Sequence, residues 1–253
     1  MTVLSTVEFE VTWGLLELGE LPPVLDLPRA GRTRRERQEI VDRVLTGLGD
    51  RGLAGPRGPA PDLAHQLTTL ARFEWAVDTR IITHTRTRAR GAVAARHGVV
   101  AVLTGDRITI SPVPEHAVVA HMAALAGEAT CSRVDSVSVR ADALDTAMAV
   151  AGDDLRAMAD GLVTLGERGV DARTVARICT GVLARGQFSV RRTDRNGRQH
   201  TAPRVVGFHD TPNGRYLQLR RDGWVTFTPV TGTQLVTQVN QLLDEADLRK
   251  ARR

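Results

Sequence analysis

The densest run of reactive side chains is His209-Asp-Thr-Pro-Asn-Gly214, followed by Arg215 and Tyr216. A histidine beside an aspartate, with an arginine near by, could serve general acid–base chemistry or a hydrolase. No nucleophile accompanies the trio. The same letters also describe a tight connection, in which aspartate accepts backbone bonds, proline fixes φ and Asn-Gly supplies positive φ. Other chemical patterns are weaker. Gly47-Leu-Gly-Asp-Arg-Gly52 has the spacing of a dinucleotide-binding loop but follows a helix instead of a strand, so it reads as helix termination. Lys250 is the sole lysine, which leaves no phosphate-binding G-x-x-x-x-G-K-[ST] motif, and G-x-S-x-G, H-E-x-x-H and C-x-x-C are all missing. His116 and His121 are five residues apart, the wrong interval for one face of a zinc-binding helix. Asp153-Asp154 reads as the N-terminal carboxylates of a helix. Cys131 and Cys179, two isolated thiols, fit a reducing cytoplasm and buried packing better than a disulfide framework. We therefore expect no catalytic residue, no metal and no cofactor.

The elements that would position a site come from an ordinary globular composition, 42% hydrophobic and 25% charged but only 4% aromatic, so the core rests on Val, Leu, Ile and Ala. A net charge of +5 and a pI near 10.3 invite a nucleic-acid reading. However, the basic residues are arginines interleaved with 29 acids, the bias expected of a GC-rich genome such as an actinomycete's. No basic region followed by an apolar run opens the chain, and no stretch approaches the roughly 18 apolar residues of a membrane span.

Alternation predicts a strand over Val7–Val11, with Thr12 capping a short helix through Leu18. Helical periodicity then marks Thr33–Leu53 and a helix from Asp62. Strands are expected over Glu74–Ile82 and Ala92–Arg96 around a basic loop Thr83–Arg90, then at Val99–Leu103 and Ile108–Ser111 around Gly105-Asp106, with a helix from Pro114 to Leu125. The second half opens at Val137–Val139. Helices near Asp142–Val150, Asp153–Leu165 and Asp171–Leu183 follow, then strands at Phe188–Arg192, Val205–Phe208, Arg215–Arg221 and Trp224–Val230. A helix over Thr233–Leu248 comes next, and the basic tail from Arg249 reads as a solvated terminus.

This order contains a repeat. An offset of 117 residues lays Val99–Leu125 on Tyr216–Leu242 without a gap, pairing Val102 with Leu219, Ile108 with Val225 and Ile110 with Phe227, with Thr109 and Pro112 meeting the identical Thr226 and Pro229. Upstream, an offset of 113 sets Trp75 on Phe188 and Val93 on Val206. Two similar α+β halves follow, residues 1–128 and 129–253. Equivalent places in them carry arginines: Arg86, Arg88 and Arg90, then Arg191, Arg192, Arg195 and Arg198. These fit either solvated loops or a rim that contacts a partner.

Asp210-Thr-Pro-Asn-Gly-Arg-Tyr-Leu217, then Asp222-Gly-Trp-Val-Thr226, Pro229 and a terminal amphipathic helix, resembles the C-terminal signature of the EspG proteins of type VII (ESX) secretion. Leu70-Ala-Arg72, Ala95-Arg-His-Gly98 and Gly186-Gln-Phe188 look like further family features, while Phe73 stands where many relatives carry proline. The resemblance implies an α+β fold with two quasi-symmetric halves sharing a central antiparallel sheet flanked by helical bundles. It implies a cytoplasmic, non-enzymatic chaperone of actinobacteria that covers the apolar tip of a helical PPE-like protein, or PE–PPE pair, before export. By position it places the partner contacts on Thr83–Arg90, Asp171–Leu183 and Phe188–Arg198. The residues singled out are Arg86, Arg88, Arg90, Val175, Phe188, Arg191, Arg195 and Arg198. It implies no small-molecule substrate and no membrane insertion, and a homodimer stays open. The alternative is an Arg-rich nucleic-acid-binding regulator.

Overall fold

The computed structural model describes residues 1–131 and 135–248; the basic tail from Arg249 lies outside them. The chain forms two compact units. The first comprises Met1–Arg80, Thr85–Met122 and Arg191–His200, and the second the described residues of Ile81–His84, Ala123–Val190 and Thr201–Arg253. No helix among the described residues is long and apolar enough to cross a membrane.

The elements of the first half are β1 (Thr2–Ser5), α1 (Thr6–Leu15), α2 (Arg34–Asp50), a small hairpin of β2 (Ala54–Gly55) and β3 (Gly58–Pro59), α3 (Pro61–Ala71), β4 (Trp75–Ile82), β5 (Arg86–Ala94), β6 (His97–Thr104), β7 (Arg107–Pro114) and α4 (Val118–Ala124). Val7–Val11 is helix, not the strand that alternation suggests. Ser5 and Glu8 close a capping box, Ser5 Oγ accepting the Glu8 N–H at 3.2 Å and Glu8 Oε2 accepting the Ser5 N–H at 2.6 Å, and this satisfies two otherwise orphan donors. Thr33 and Glu36 start α2 in the same way. The glycine-rich Gly47–Gly52 ends α2 as expected, with Gly52 at φ 69°.

In the first unit the strands run β1-β7-β6-β5-β4. One face buries Ala92, Val99, Leu103, Ile108 and Ile110 against Phe9, Trp13, Leu48, Leu63, Leu67 and Leu70 of α1 to α3. The opposite face meets α4 at very short range. A Cβ on Gly91 would lie 2.7 Å from Val118 Cγ1, and one on Gly98 would lie 2.6 Å from both Val118 Cγ2 and Val113 O.

The second half continues with β8 (Val137–Arg140), α5 (Ala141–Ala151), α6 (Leu155–Thr164), α7 (Gly169–Thr180), β9 (Ala184–Thr193), β10 (Gln199–Thr201), β11 (Val206–Thr211), β12 (Gly214–Arg221), β13 (Trp224–Pro229) and α8 (Gly232–Leu248). Its strands run β9-β11-β12-β13-β8, with β10 beside β9. Helices α5 to α7 bury Leu144, Met158, Leu162, Val175 and Ile178 with Val139, Val225 and Phe227. Asp154 caps α6, its Oδ1 accepting the N–H groups of Arg156 and Ala157 at 2.8 and 2.9 Å, which is the helix-start role read from the sequence.

The repeat is visible in the strand register. Val99↔Pro112, Val102↔Thr109 and Thr104↔Arg107 in the β6/β7 hairpin recur as Tyr216↔Pro229, Leu219↔Thr226 and Arg221↔Trp224 in β12/β13, each 117 residues later. The turns differ in chemistry. Asp222 and Gly223 both have positive φ, 49° and 80°, as a type I′ turn requires, whereas in Gly105-Asp106 only Gly105 does, at 60°, which fits type II′. The short outer strands also match, since Leu4↔Ile108 corresponds to Val139↔Val225. Both are blunted by charged side chains. Arg51 Nη2 donates to Val3 O on β1, and Glu167 Oε1 accepts the Arg140 N–H on β8 at 3.1 Å, so neither edge offers a free ladder to another strand at those positions.

Candidate functional site

His209 and Asp210 are consecutive on β11, so their side chains leave opposite faces of the sheet and do not act as a pair. The Asp210 carboxylate accepts Arg215 Nε at 2.6 Å and Nη2 at 2.7 Å. Arg215 Nη2 also donates to Ala126 O at 2.7 Å and Gly127 O at 3.1 Å, and the guanidinium lies 4.9 Å above the Phe208 ring centre. Every one of these groups is a structural tie. Thr211, not Asp210, holds the β11/β12 turn: its Oγ1 accepts the Asn213 N–H at 3.1 Å and donates to Gly214 O at 3.1 Å. The positive φ there belongs to Gly214 alone.

His209 stacks on Phe227 at 5.9 Å, and its buried Nδ1 has no hydrogen-bond partner among the described residues. Burial, reinforced by the Arg185 charge and only partly opposed by Asp210, pushes its pKa down to about 4. The imidazole is therefore neutral around pH 7. Cys179 is similarly inert, since burial pushes its thiol up to about 12.

The arginines singled out from the sequence fall into buried and exposed groups. The expected loop ends early, because β5 begins at Arg86 and carries all three of Arg86, Arg88 and Arg90. Arg90 is buried and does not face a partner. Asp78 accepts its Nε and Nη2, both at 2.7 Å, and the guanidinium lies 5.1 Å over the Phe73 ring, so Phe73 supplies a cation–π platform. Arg191 Nε approaches Asp78 Oδ2 at 3.6 Å, so one carboxylate of the first unit collects two of the predicted arginines. Arg88 Nη1 donates to Asp26 O at 3.1 Å, and Arg86 is exposed.

Arg195 and Arg198 are exposed on a turn built by Asp194. Asp194 Oδ1 accepts the N–H groups of Asn196 and Arg198, both at 2.9 Å, and Oδ2 meets His200 Nε2 at 2.9 Å. These bonds, led by that of His200, hold the Asp194 carboxyl below its ordinary range. Gly197, at φ 77°, closes the turn.

Val175 and Phe188 are both fully buried in the second unit, Val175 in the α5–α7 core and Phe188 against Phe208 at 6.0 Å, so they back the surface and are not part of it. The residues α7 does present are Val170, Arg173 and Arg177. Met148 and Val150 on α5 and Leu155 and Val163 on α6 are also exposed, as is Leu183 just past α7; Val150 is 85% exposed, Leu183 65% and Val170 62%. The sequence carries a signal for this exposure. In α6 the buried stripe is Met158, Ala159 and Leu162, and Leu155 and Val163 widen the apolar set beyond what the core takes up.

Known proteins share the fold of this chain. No curated sequence matches the chain significantly. Among solved structures, the Mycobacterium tuberculosis type VII secretion system chaperone EspG5, in complex with a PE25-PPE41 dimer, is similar with a TM-score of 0.75 over 97% of this chain and 96% of that one, at 17% identity. The family model described as the EspG family matches residues 5–241. With nearly its whole length matched, the chain belongs to the EspG family.

Proposed function

We propose that this chain is a cytoplasmic chaperone of type VII secretion that binds the apolar tip of a helical PPE-like protein, alone or paired with a PE protein, and keeps it soluble and recognisable until export. The observation that carries the reading is the family match over residues 5–241, together with a fold likeness along the chain to a chaperone solved with a PE–PPE dimer. The exposed apolar side chains of the second unit, Met148, Val150, Leu155, Val163, Val170 and Leu183, supply the kind of surface that such a tip would cover. Arg86, Arg195 and Arg198 of the first unit supply exposed positive charge for orientation. In this reading no bond is made or broken, and affinity comes from apolar burial.

The test is co-expression with a PE–PPE pair encoded beside an ESX gene cluster. A soluble complex that survives affinity purification and gel filtration, with one copy of this chain per heterodimer, is the expected result. If the chain elutes free while the pair is soluble by itself, the reading is wrong.

A further inference from the structure

A groove of about 520 Å³ in the first unit is lined by Val7 and Glu8 of α1 with its cap Ser5, by Ala30, and by Ile40, Arg43 and Val44 of α2. None of these side chains belongs to the client surface proposed above. Ile40, Arg43 and Val44 are three and four residues apart and so share one face of α2. Val7 is 41% exposed and Ile40 half-buried, which leaves an aliphatic floor within reach of an occupant.

The charges around this floor are unbalanced. The carboxylates of α1 and of the first three turns of α2 are all taken by the chain itself. Glu8 accepts the Ser5 N–H at 2.6 Å and Arg51 Nη1 at 2.9 Å. Glu10 Oε2 accepts Arg37 Nη1 and, at 3.3 Å, the Ala30 N–H. Glu36 accepts the N–H groups of Arg32 and Thr33, Glu39 accepts Arg35 Nε, and Asp42 accepts Gln38 Nε2. The cations have no such match. Arg29, Arg32, Arg34 and Arg43 are exposed, and none of the four pairs with a carboxylate among the described residues. Arg43 Nε reaches only the Glu39 carbonyl, at 3.3 Å.

We propose that this groove docks an acidic peptide segment, with an apolar side chain over Val7, Ile40 and Val44 and flanking carboxylates on Arg43 and on the arginines that border Ala30. A carboxylate meets a guanidinium through two parallel charge-assisted bonds, the geometry that a free arginine offers best.

Two further observations support a binding role. The segment that carries Arg29, Arg32 and Arg34 is ordered in advance. Glu10 holds the Ala30 N–H, Arg37 Nη1 donates to the Ala30 carbonyl at 3.0 Å, and Glu36 fixes the next backbone donors, so little ordering is left for the bound state. Arg34 also stands in the first turn of α2, where the helix dipole disfavours a cation. Its neighbour Arg35 is offset by Glu39 at 3.0 Å, but Arg34 is not. A charge kept against the dipole serves something other than the helix. A nucleic acid suits the groove less well, because Phe9 and Trp13 of α1 are buried and the exposed floor has no ring on which a base could stack.

The experiment is fluorescence anisotropy with the full chain and a labelled peptide in which pairs of glutamates alternate with single leucines. Saturable binding that weakens as salt rises is expected. Arg43→Glu, the triple variant Arg29→Glu/Arg32→Glu/Arg34→Glu and Val7→Asp should each weaken it by about tenfold or more. Arg57→Glu, at an exposed arginine of the β2/β3 hairpin, should leave it unchanged. Glutamate suits the first turn of a helix, so the triple variant should melt no lower than the wild type, which separates lost binding from lost folding. A peptide with glutamine in place of glutamate should not bind, and polyglutamate without leucine should bind about tenfold more weakly. The proposal is overturned if no saturable binding occurs, if Arg57→Glu weakens it as much as Arg43→Glu, or if a single-stranded oligonucleotide binds as tightly as the peptide.

Discussion

Replacing Asp210 by alanine tests whether the reactive-looking run in β11 and β12 is a structural tie. The variant strands a guanidinium that is almost wholly buried: the Arg215 side chain is 2% exposed, and Asp210 supplies both of its charge-assisted bonds. Removing one partner of a buried ion pair costs about 3–5 kcal/mol. Here Nη2 keeps Ala126 O and Gly127 O and the ring of Phe208 remains beneath, so the lower end, about 3 kcal/mol, applies. At roughly 2–4 °C per kcal/mol for a chain of this size, the melting temperature should fall by about 6–12 °C. Adding Arg215→Met removes the stranded charge but leaves two carbonyls without a donor, so the double variant should recover about half of the loss. Thermal unfolding followed by circular dichroism reads all four corners of the cycle. If Asp210→Ala costs under about 1 kcal/mol, or the two changes simply add, the pair is not the buried tie described above.

His209 makes acid stability a second test. Its folded pKa of about 4 lies below the unbound value of 6.5, so between those pH values the unfolded chain takes up a proton that the folded chain refuses. Stability should therefore fall as pH drops from 6.5 to 4, by about 3 kcal/mol in all, and His209→Phe should flatten that limb in urea melts at stepped pH. Gly98→Val would force side-chain atoms into Val113 O and Val118, and should destabilise by about 1–3 kcal/mol, whereas alanine at exposed Gly55, which has open space around its Cβ position, should be near neutral in the same melts. Reversing Arg86, Arg195 and Arg198 to glutamate should slow association with a PE–PPE partner by about tenfold at low salt while leaving the melting temperature within a degree or two. An unchanged association rate by surface plasmon resonance would remove these arginines from the recognition surface.

Most element types were legible because hydrophobic period and turn chemistry agreed. Asp222-Gly223 between apolar strands could hardly be anything but a hairpin, and the common offset of two hairpins with their following helices exposed the repeat before any register was known. The failures have physical causes. Val7-Glu-Phe-Glu-Val11 alternates like a strand, but Ser5 and Glu8 supply a capping box just upstream, and that local bond pair decides the element. Positional transfer of contact residues failed where burial intervened. Val175 and Phe188 are apolar residues that the core claims, and Arg90 is claimed by Asp78, a partner 12 residues away that no motif announces.

The two hairpins of matching register depart from each other at one equivalent position. Position 98 in the first half corresponds to position 215 in the second, because Val99 opposite Pro112 maps onto Tyr216 opposite Pro229. In the first half the residue is glycine, and the missing side chain lets Val118 of α4 rest on the strand. In the second half it is Arg215, whose guanidinium collects Asp210, the Phe208 ring and the carbonyls of Ala126 and Gly127, just past the end of α4. One copy of the hairpin is thus specialised for close helix packing and the other for anchoring the chain that enters the second half. A catalytic role for Arg215 would need its guanidinium free to meet a substrate, whereas four ties of this kind keep it inside the fold.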